Sequence, residues 1–107
     1  MKNFLFVCSQ NKLRSPTAEQ VFLKHGGCNV RSAGLDSSAN YVLSSEDIEW
    51  ADMIFVMERS HRTKLTKKYG AFLRSKPVIC LNIPDDYDYM DERLVQIFEN
   101  MLPRYLK

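Results

Sequence analysis

Three short, unbroken apolar runs constrain this chain more than anything else in it. Phe4-Leu5-Phe6-Val7, Met53-Ile54-Phe55-Val56 and Val78-Ile79-Cys80-Leu81 carry no polar residue, and a weaker run is bracketed by Val30 and Ala33. A strand that is apolar at every position has no face to show to water, so it belongs in a sheet covered on both sides. The stretches between the runs have helical signals. Ser15 reads as an N-cap with Pro16 at the first helical position, opening a helix that turns Ala18, Val21 and Phe22 inward and ends near Gly26 and Gly27. Ser44 or Ser45 caps a brief helix through Trp50, and Ser60 caps a basic helix that Gly70 closes. Asp91 caps a last helix with Leu94, Ile97, Phe98, Met101 and Leu102 on one face. Gly34 to Leu43 is polar, without a strong period, and reads as a loop.

Strands alternating with helices imply right-handed crossovers and hence a parallel sheet. The expected fold class is α/β: a single three-layer domain over residues 1–107, with a four-stranded parallel sheet in the order 2-1-3-4 and helices on both faces. In open sheets of this kind ligands bind beyond the C-terminal ends of the strands. The first strand delivers Cys8 to that edge, the fourth delivers Asp85, and the second brings Ser32 nearby.

Composition excludes several other classes. No segment approaches the roughly 20 consecutive apolar residues of a membrane span, and the run at Phe4 to Val7 is too short for a signal-peptide core. Three cysteines without a Cys-x-x-Cys pair argue against a disulfide scaffold and fit a reducing compartment, so a cytoplasmic location is expected. A net charge of +2 is too small to indicate nucleic acid, although the charge is unevenly placed. Arg59 to Lys76 holds seven Lys or Arg and no acid, whereas Asp85 to Asp91 holds four Asp and no base. The basic stretch reads as a solvated helix face, with a docking surface for an acidic or phosphorylated partner as the alternative.

The chemistry concentrates in Cys8-Ser9-Gln10-Asn11-Lys12-Leu13-Arg14-Ser15, between the first strand and the first helix. A loop of this length can curl so that successive backbone N–H groups point inward, and the helix N-terminus adds its positive end. Together they make a cradle for a dianion such as phosphate, which Ser9, Gln10, Asn11, Lys12, Leu13 and Arg14 would surround. The same field favours a thiolate at Cys8, with Ser15 donating to the sulfur, and makes Cys8 a nucleophile. Arg14 offers a planar fork matched to two phosphoryl oxygens, which lysine would not reproduce. The plainer alternative is a buried cysteine acting as a small hydrophobe beside a helix-capping serine.

Phe6-Val7-Cys8 through Arg14-Ser15-Pro16-Thr17-Ala18-Glu19 resembles the phosphate loop of the low-molecular-weight protein tyrosine phosphatases. Ser32-Ala33-Gly34, Met57-Glu58-Arg59-Ser60 and Ile83-Pro84-Asp85-Asp86-Tyr87 resemble later landmarks of that family, in family order. The resemblance implies a phosphomonoester hydrolase, of the protein tyrosine phosphatase kind, that works through a phosphocysteine without metal or cofactor. Its substrate would be a phosphorylated protein or a small phosphoester, with no nucleic-acid or membrane partner. By position Cys8 resembles the nucleophile, Arg14 the phosphate binder and Ser15 the partner of the thiolate. Asn11 with Ser32 resembles the pair that holds the loop in shape, and Asp85 the general acid.

The chain departs from that pattern in several places. Gln10 and Leu13 stand where the family has glycine and a second cysteine. Asp85 is followed by Asp86 instead of proline, which makes Asp86 the alternative acid. The chain is contracted between Gly34 and Ala51, where the family supplies a pocket wall, and no histidine occurs between Gly34 and Ser60 to tie down the loop asparagine. His61 reads as a surface residue of the basic helix and His25 as part of a helix C-terminus; Tyr41, Trp50, Tyr87 and Tyr89 are the aromatics that could flank an aryl phosphate. Two rival functions follow: a phosphate-binding module with little turnover, and an arsenate reductase that would pass oxidation to Cys28 or Cys80.

Overall fold

In the computed structural model, which describes residues 1–106, β1 (Lys2–Cys8), β2 (Cys28–Gly34), β3 (Met53–Val56) and β4 (Val78–Cys80) pair in parallel in the order β2-β1-β3-β4. Helices α1 (Arg14–His25), α2 (Ser45–Trp50), α3 (Arg59–Leu73) and α4 (Glu92–Tyr105) connect and follow the strands. The expected class and strand order hold.

The two-residue period of β1 divides the core. Phe4, Phe6 and Cys8 face a cluster with Ala18, Val21 and Phe22 of α1, Phe55 of β3, and Leu94, Phe98 and Leu102 of α4. Leu5 and Val7 face the opposite cluster, with Ile48 of α2 and Leu65 of α3. Phe4, Leu5, Phe6 and Val7 have no exposed surface at all, which is why the run needs no polar residue. Phe6 stacks on Phe55 with ring centroids 4.9 Å apart and meets Phe98 edge-on, so aromatic geometry as well as area fixes the first layer. Among the described residues no helix is long and apolar enough to cross a membrane.

Several boundaries move. β2 extends from Cys28 to Gly34 because it pairs with β1 along its whole length, and β4 stops at Cys80, although the Leu81 N–H still donates to the Val56 carbonyl at 2.9 Å. Ser15 is not the N-cap of α1: the helix begins at Arg14, Leu13 occupies the cap position without a side-chain bond, and Ser15 is buried in the first turn. Pro16 is then the third helical residue, still among those whose N–H has no intrahelical partner. Ser60 does not cap α3 either; Glu58 holds that place, and its backbone N–H donates to His61 Nδ1 at 3.2 Å. Nor does Gly70 end α3, which continues to Leu73 and stops where Arg74 adopts a left-handed φ of 46°. An interior glycine costs a helix about 1 kcal/mol, and here Tyr69, Phe72 and Leu73 offset it by packing on the second cluster. Asp91 does cap α4, accepting from the Arg93 N–H at 2.9 Å.

Candidate active site

Between β1 and α1 the chain has only residues 9–13 in which to reverse direction, and it does so around the sulfur of Cys8. Asn11 takes a left-handed φ of 54°, a conformation asparagine tolerates better than most residues. Its N–H then donates to Cys8 Sγ at 3.2 Å, and Ser15 Oγ lies 2.9 Å from the same sulfur. Negative charge on Cys8 would meet both donors and the N-terminus of α1.

The orientation of the Ser15 hydroxyl follows from its neighbours. Asn11 Nδ2 donates to Ser15 Oγ and to Ser32 Oγ, each at 3.0 Å, and the Ser32 hydroxyl donates to the Glu19 carboxylate. A carboxylate only accepts, so Glu19 fixes Ser32 as its donor and leaves the Ser32 oxygen to accept from Asn11. Ser15, already accepting from Asn11, has its own hydrogen free for the sulfur. The expected Asn11–Ser32 pair is present, and Glu19 is a member of the chain that the sequence reading missed. Its signal was the four-residue spacing from Ser15, which puts both on one face of α1.

Residues 35–43, after β2, form a loop, as expected, and brace the Cys8–Arg14 loop from outside. The N–H groups of Leu35, Asp36 and Asn40 donate to the carbonyls of Cys8, Ser9 and Gln10 at 2.9, 3.0 and 3.0 Å. Asn40 Nδ2 donates to the Asn11 carbonyl at 3.2 Å, and the Gln10 amide meets the Asp36 carboxylate. Gly34 permits this approach: a Cβ there would stand 2.5 Å from Ala39 Cβ and 2.6 Å from the Ser9 carbonyl oxygen. Gly34→Ala is therefore expected to destabilise the protein by about 1–3 kcal/mol, the usual cost of overpacking, and to lower turnover by displacing Ser9. Denaturant unfolding combined with steady-state kinetics checks this, and an unchanged midpoint would show that the loop yields freely.

Arg14 is 5% exposed and clamped from two sides. Its Nη1 donates to Glu58 Oε2 at 2.6 Å and to the Ile83 carbonyl at 2.8 Å, while Nε lies 3.7 Å from Asp85 Oδ1. The hydrogen bond from Arg14 holds the Glu58 carboxyl below the usual carboxylate range, against the opposing effect of partial burial. Cys8, Ser9, Gln10, Lys12, Leu13, Arg14, Glu58 and Asp85 line one cavity of about 270 Å³. Asn11, Ser15 and Ser32 stand behind it as supports, and the exposed Asp86 does not line it. None of the four aromatics lines it: Tyr41 donates to Asp47, Trp50 lies under Arg31, Tyr87 lies under Arg93, and Tyr89 is half exposed. Glu58 had no assigned role in the sequence reading, because its pairing with Arg14 spans 44 residues.

His61 is not a surface residue. It is 1% exposed, faces inward one turn before the buried Leu65, and sets Nε2 3.0 Å from Ser9 Oγ. Burial first, and then the Arg14 charge, push its pKa down. Helix α3 runs beneath the Cys8–Arg14 loop, so a position that looked solvated on a basic helix is covered by Ser9, 52 positions away in sequence.

The three cysteines are free. Cys28 pairs with Lys2 at the opposite end of β1, roughly 20 Å from Cys8 at the strand rise of about 3.3 Å per residue, and burial pushes its thiol pKa up. Cys80 packs on the α2/α3 face and Cys8 on the α1/α4 face. The arrangement offers Cys8 no second thiol for a relay.

No family model matches the chain, and no curated protein matches it. Solved structures do. A low-molecular-weight protein tyrosine phosphatase from Streptococcus pyogenes matches with a TM-score of 0.83 at 18% identity, over 100% of this chain and 95% of that one. The YwlE arginine phosphatase from Geobacillus stearothermophilus matches with a TM-score of 0.77 at 19% identity, over 97% and 92%. Wzb from Vibrio vulnificus, in complex with benzylphosphonate, matches with a TM-score of 0.71 at 25% identity, over 92% and 90%. The chain has the fold of the low-molecular-weight protein tyrosine phosphatases.

Proposed function

We propose that this protein is a phosphomonoester hydrolase of the protein tyrosine phosphatase type. The observation that carries the reading is the convergence of Cys8 Sγ, its donors Asn11 N–H and Ser15 Oγ, and the anchored Arg14 on one cavity at the C-terminal sheet edge. Fold neighbours named as tyrosine and arginine phosphatases support it, as does one that binds benzylphosphonate. In the first step the Cys8 thiolate attacks phosphorus in line, the bond to the ester oxygen breaks, and Asp85 gives that oxygen a proton. In the second, Asp85 takes a proton from water as the water attacks the phosphocysteine; the P–S bond breaks, and phosphate and the thiolate are released. Arg14 and the loop N–H groups hold the equatorial oxygens throughout. The substrate is a phosphorylated protein side chain or a small phosphoester, held by a wall of Gln10, Lys12, Leu13, Glu58 and Asp85. Unpaired thiols suit a cytoplasmic setting.

Asp85 is assigned as the acid because it lines the cavity and Asp86 does not. With phenyl phosphate, whose leaving group needs a proton, Asp85→Asn is expected to lower kcat by about 10²-fold or more, and Asp86→Asn by less than about threefold. Activated p-nitrophenyl phosphate should show a smaller Asp85→Asn effect. A larger loss in Asp86→Asn, with phosphate affinity intact, would transfer the role to Asp86. Wild type that binds phosphate but turns over neither ester would instead be a phosphate-binding module.

A further inference from the structure

We propose that His61 is a positioning residue for phosphate binding: it donates to Ser9 and so turns the Ser9 hydroxyl hydrogen into the cavity, toward a phosphoryl oxygen. The inference rests on the phosphate-site reading above.

The tautomer follows from the contacts. The Glu58 backbone N–H can only donate, and it points at His61 Nδ1 at 3.2 Å, so Nδ1 carries a lone pair. In the neutral ring the hydrogen is then on Nε2, which lies 3.0 Å from Ser9 Oγ. Ser9 Oγ is thereby the acceptor, and its own hydrogen must point elsewhere. Among the described residues this hydroxyl has no other partner, and Ser9 lines the cavity beside Cys8 and Arg14. The Ser9 carbonyl is already occupied by the Asp36 N–H at 3.0 Å, so the residue cannot readily turn away.

The surroundings favour the neutral ring. Burial and the positive charges of Arg14 and Lys64 outweigh the opposing pull of Glu58, whose Oε2 is 3.9 Å from Nε2, and of Asp36. A protonated ring would set an Nδ1–H against the Glu58 N–H, donor against donor, and would weaken the start of α3 together with the hold on Ser9. One rigid ring thus links the N-terminus of α3 to the first residue after the nucleophile. A hydroxyl aimed by this ring adds a charge-assisted bond to the phosphate without rearranging on binding.

The test combines a spectroscopic and a kinetic measurement on the full chain. Long-range ¹H–¹⁵N spectra of the wild type between about pH 7.5 and 8.5, where histidine is normally neutral, are expected to show the Nε2–H tautomer for His61; the Nδ1–H tautomer overturns the proposal. Inorganic phosphate is then used as a competitive inhibitor of p-nitrophenyl phosphate hydrolysis. Ser9→Ala and His61→Ala should each raise its inhibition constant about tenfold, with KM rising similarly and kcat changing little, as for a bond made in both ground and transition states. The double variant should be no worse than either single one, because both remove the same bond. An additive loss of about a hundredfold shows that the residues act separately and overturns the proposal. If His61→Ala fails to fold, the tautomer and Ser9→Ala still decide: an unchanged inhibition constant in Ser9→Ala overturns it. Wild type that binds no phosphate would instead refute the site reading itself.

Discussion

Cys8→Ser is expected to cut turnover of p-nitrophenyl phosphate by about 10⁴-fold or more, the scale on which removing a covalent nucleophile acts, while inorganic phosphate still binds. The sulfur is buried at the floor of the cavity with the Asn11 N–H and Ser15 Oγ at 3.2 and 2.9 Å. Those donors can hold a negative charge on a thiolate, but a serine hydroxyl in the same place stays protonated near neutral pH. The donors that would hold the phosphoryl oxygens come from the loop backbone and Arg14, which the substitution leaves alone. Steady-state kinetics with calorimetric titration of phosphate separates the two effects. Turnover within about tenfold of wild type would mean that Cys8 is not the nucleophile; loss of phosphate binding together with turnover would mean that the loop has collapsed.

Arg14→Lys is expected to lower kcat/KM by about 10²- to 10³-fold, the range for removing one preorganised donor from a transition state. Lysine keeps the charge, so electrostatics alone would predict a mild effect. Geometry predicts the larger one. Nη1 is committed to Glu58 Oε2 at 2.6 Å and the Ile83 carbonyl at 2.8 Å, and those two bonds aim the rest of the planar group. A single ammonium cannot hold both anchors and also present a fork to two phosphoryl oxygens. Stability should fall by about 1–3 kcal/mol, the cost of leaving the buried Ile83 carbonyl without its donor, whereas Glu58 is 41% exposed and can rehydrate. A variant within about threefold of wild type would show that Arg14 supplies charge without orientation.

The parts of the site legible in the sequence are those close together along the chain. Cys8, Asn11, Arg14 and Ser15 lie within eight residues, and a strand end followed by a helix start leaves few ways to arrange them. Asp85 was legible because an acidic loop after the last strand must come to the same edge. Residues that reach the loop from elsewhere were not. Glu58 carries the ordinary signal of a helix start, and His61 sits in a run so basic that its charge pattern concealed the inward spacing of His61, Leu65 and Tyr69. Glu19 lies in the same motif, but its task depends on where Ser32 lies across the β1–β2 pair.

The sequence by itself determined the α/β class, the place of the Cys8–Arg14 loop between the first strand and the first helix, and the arrival of Cys8 and Asp85 at one edge of the sheet. It could do so because apolar runs and turn residues act over a few positions, where chain geometry leaves little freedom. The tertiary structure alone decided what holds those residues in register: Glu58 on Arg14, His61 on Ser9, Glu19 on Ser32, and the Leu35–Asn40 segment on the loop backbone. Each joins residues that share no local pattern. A hydrogen bond formed across the fold leaves no periodicity in the chain, and its partner is known only once the sheet and helices have placed it.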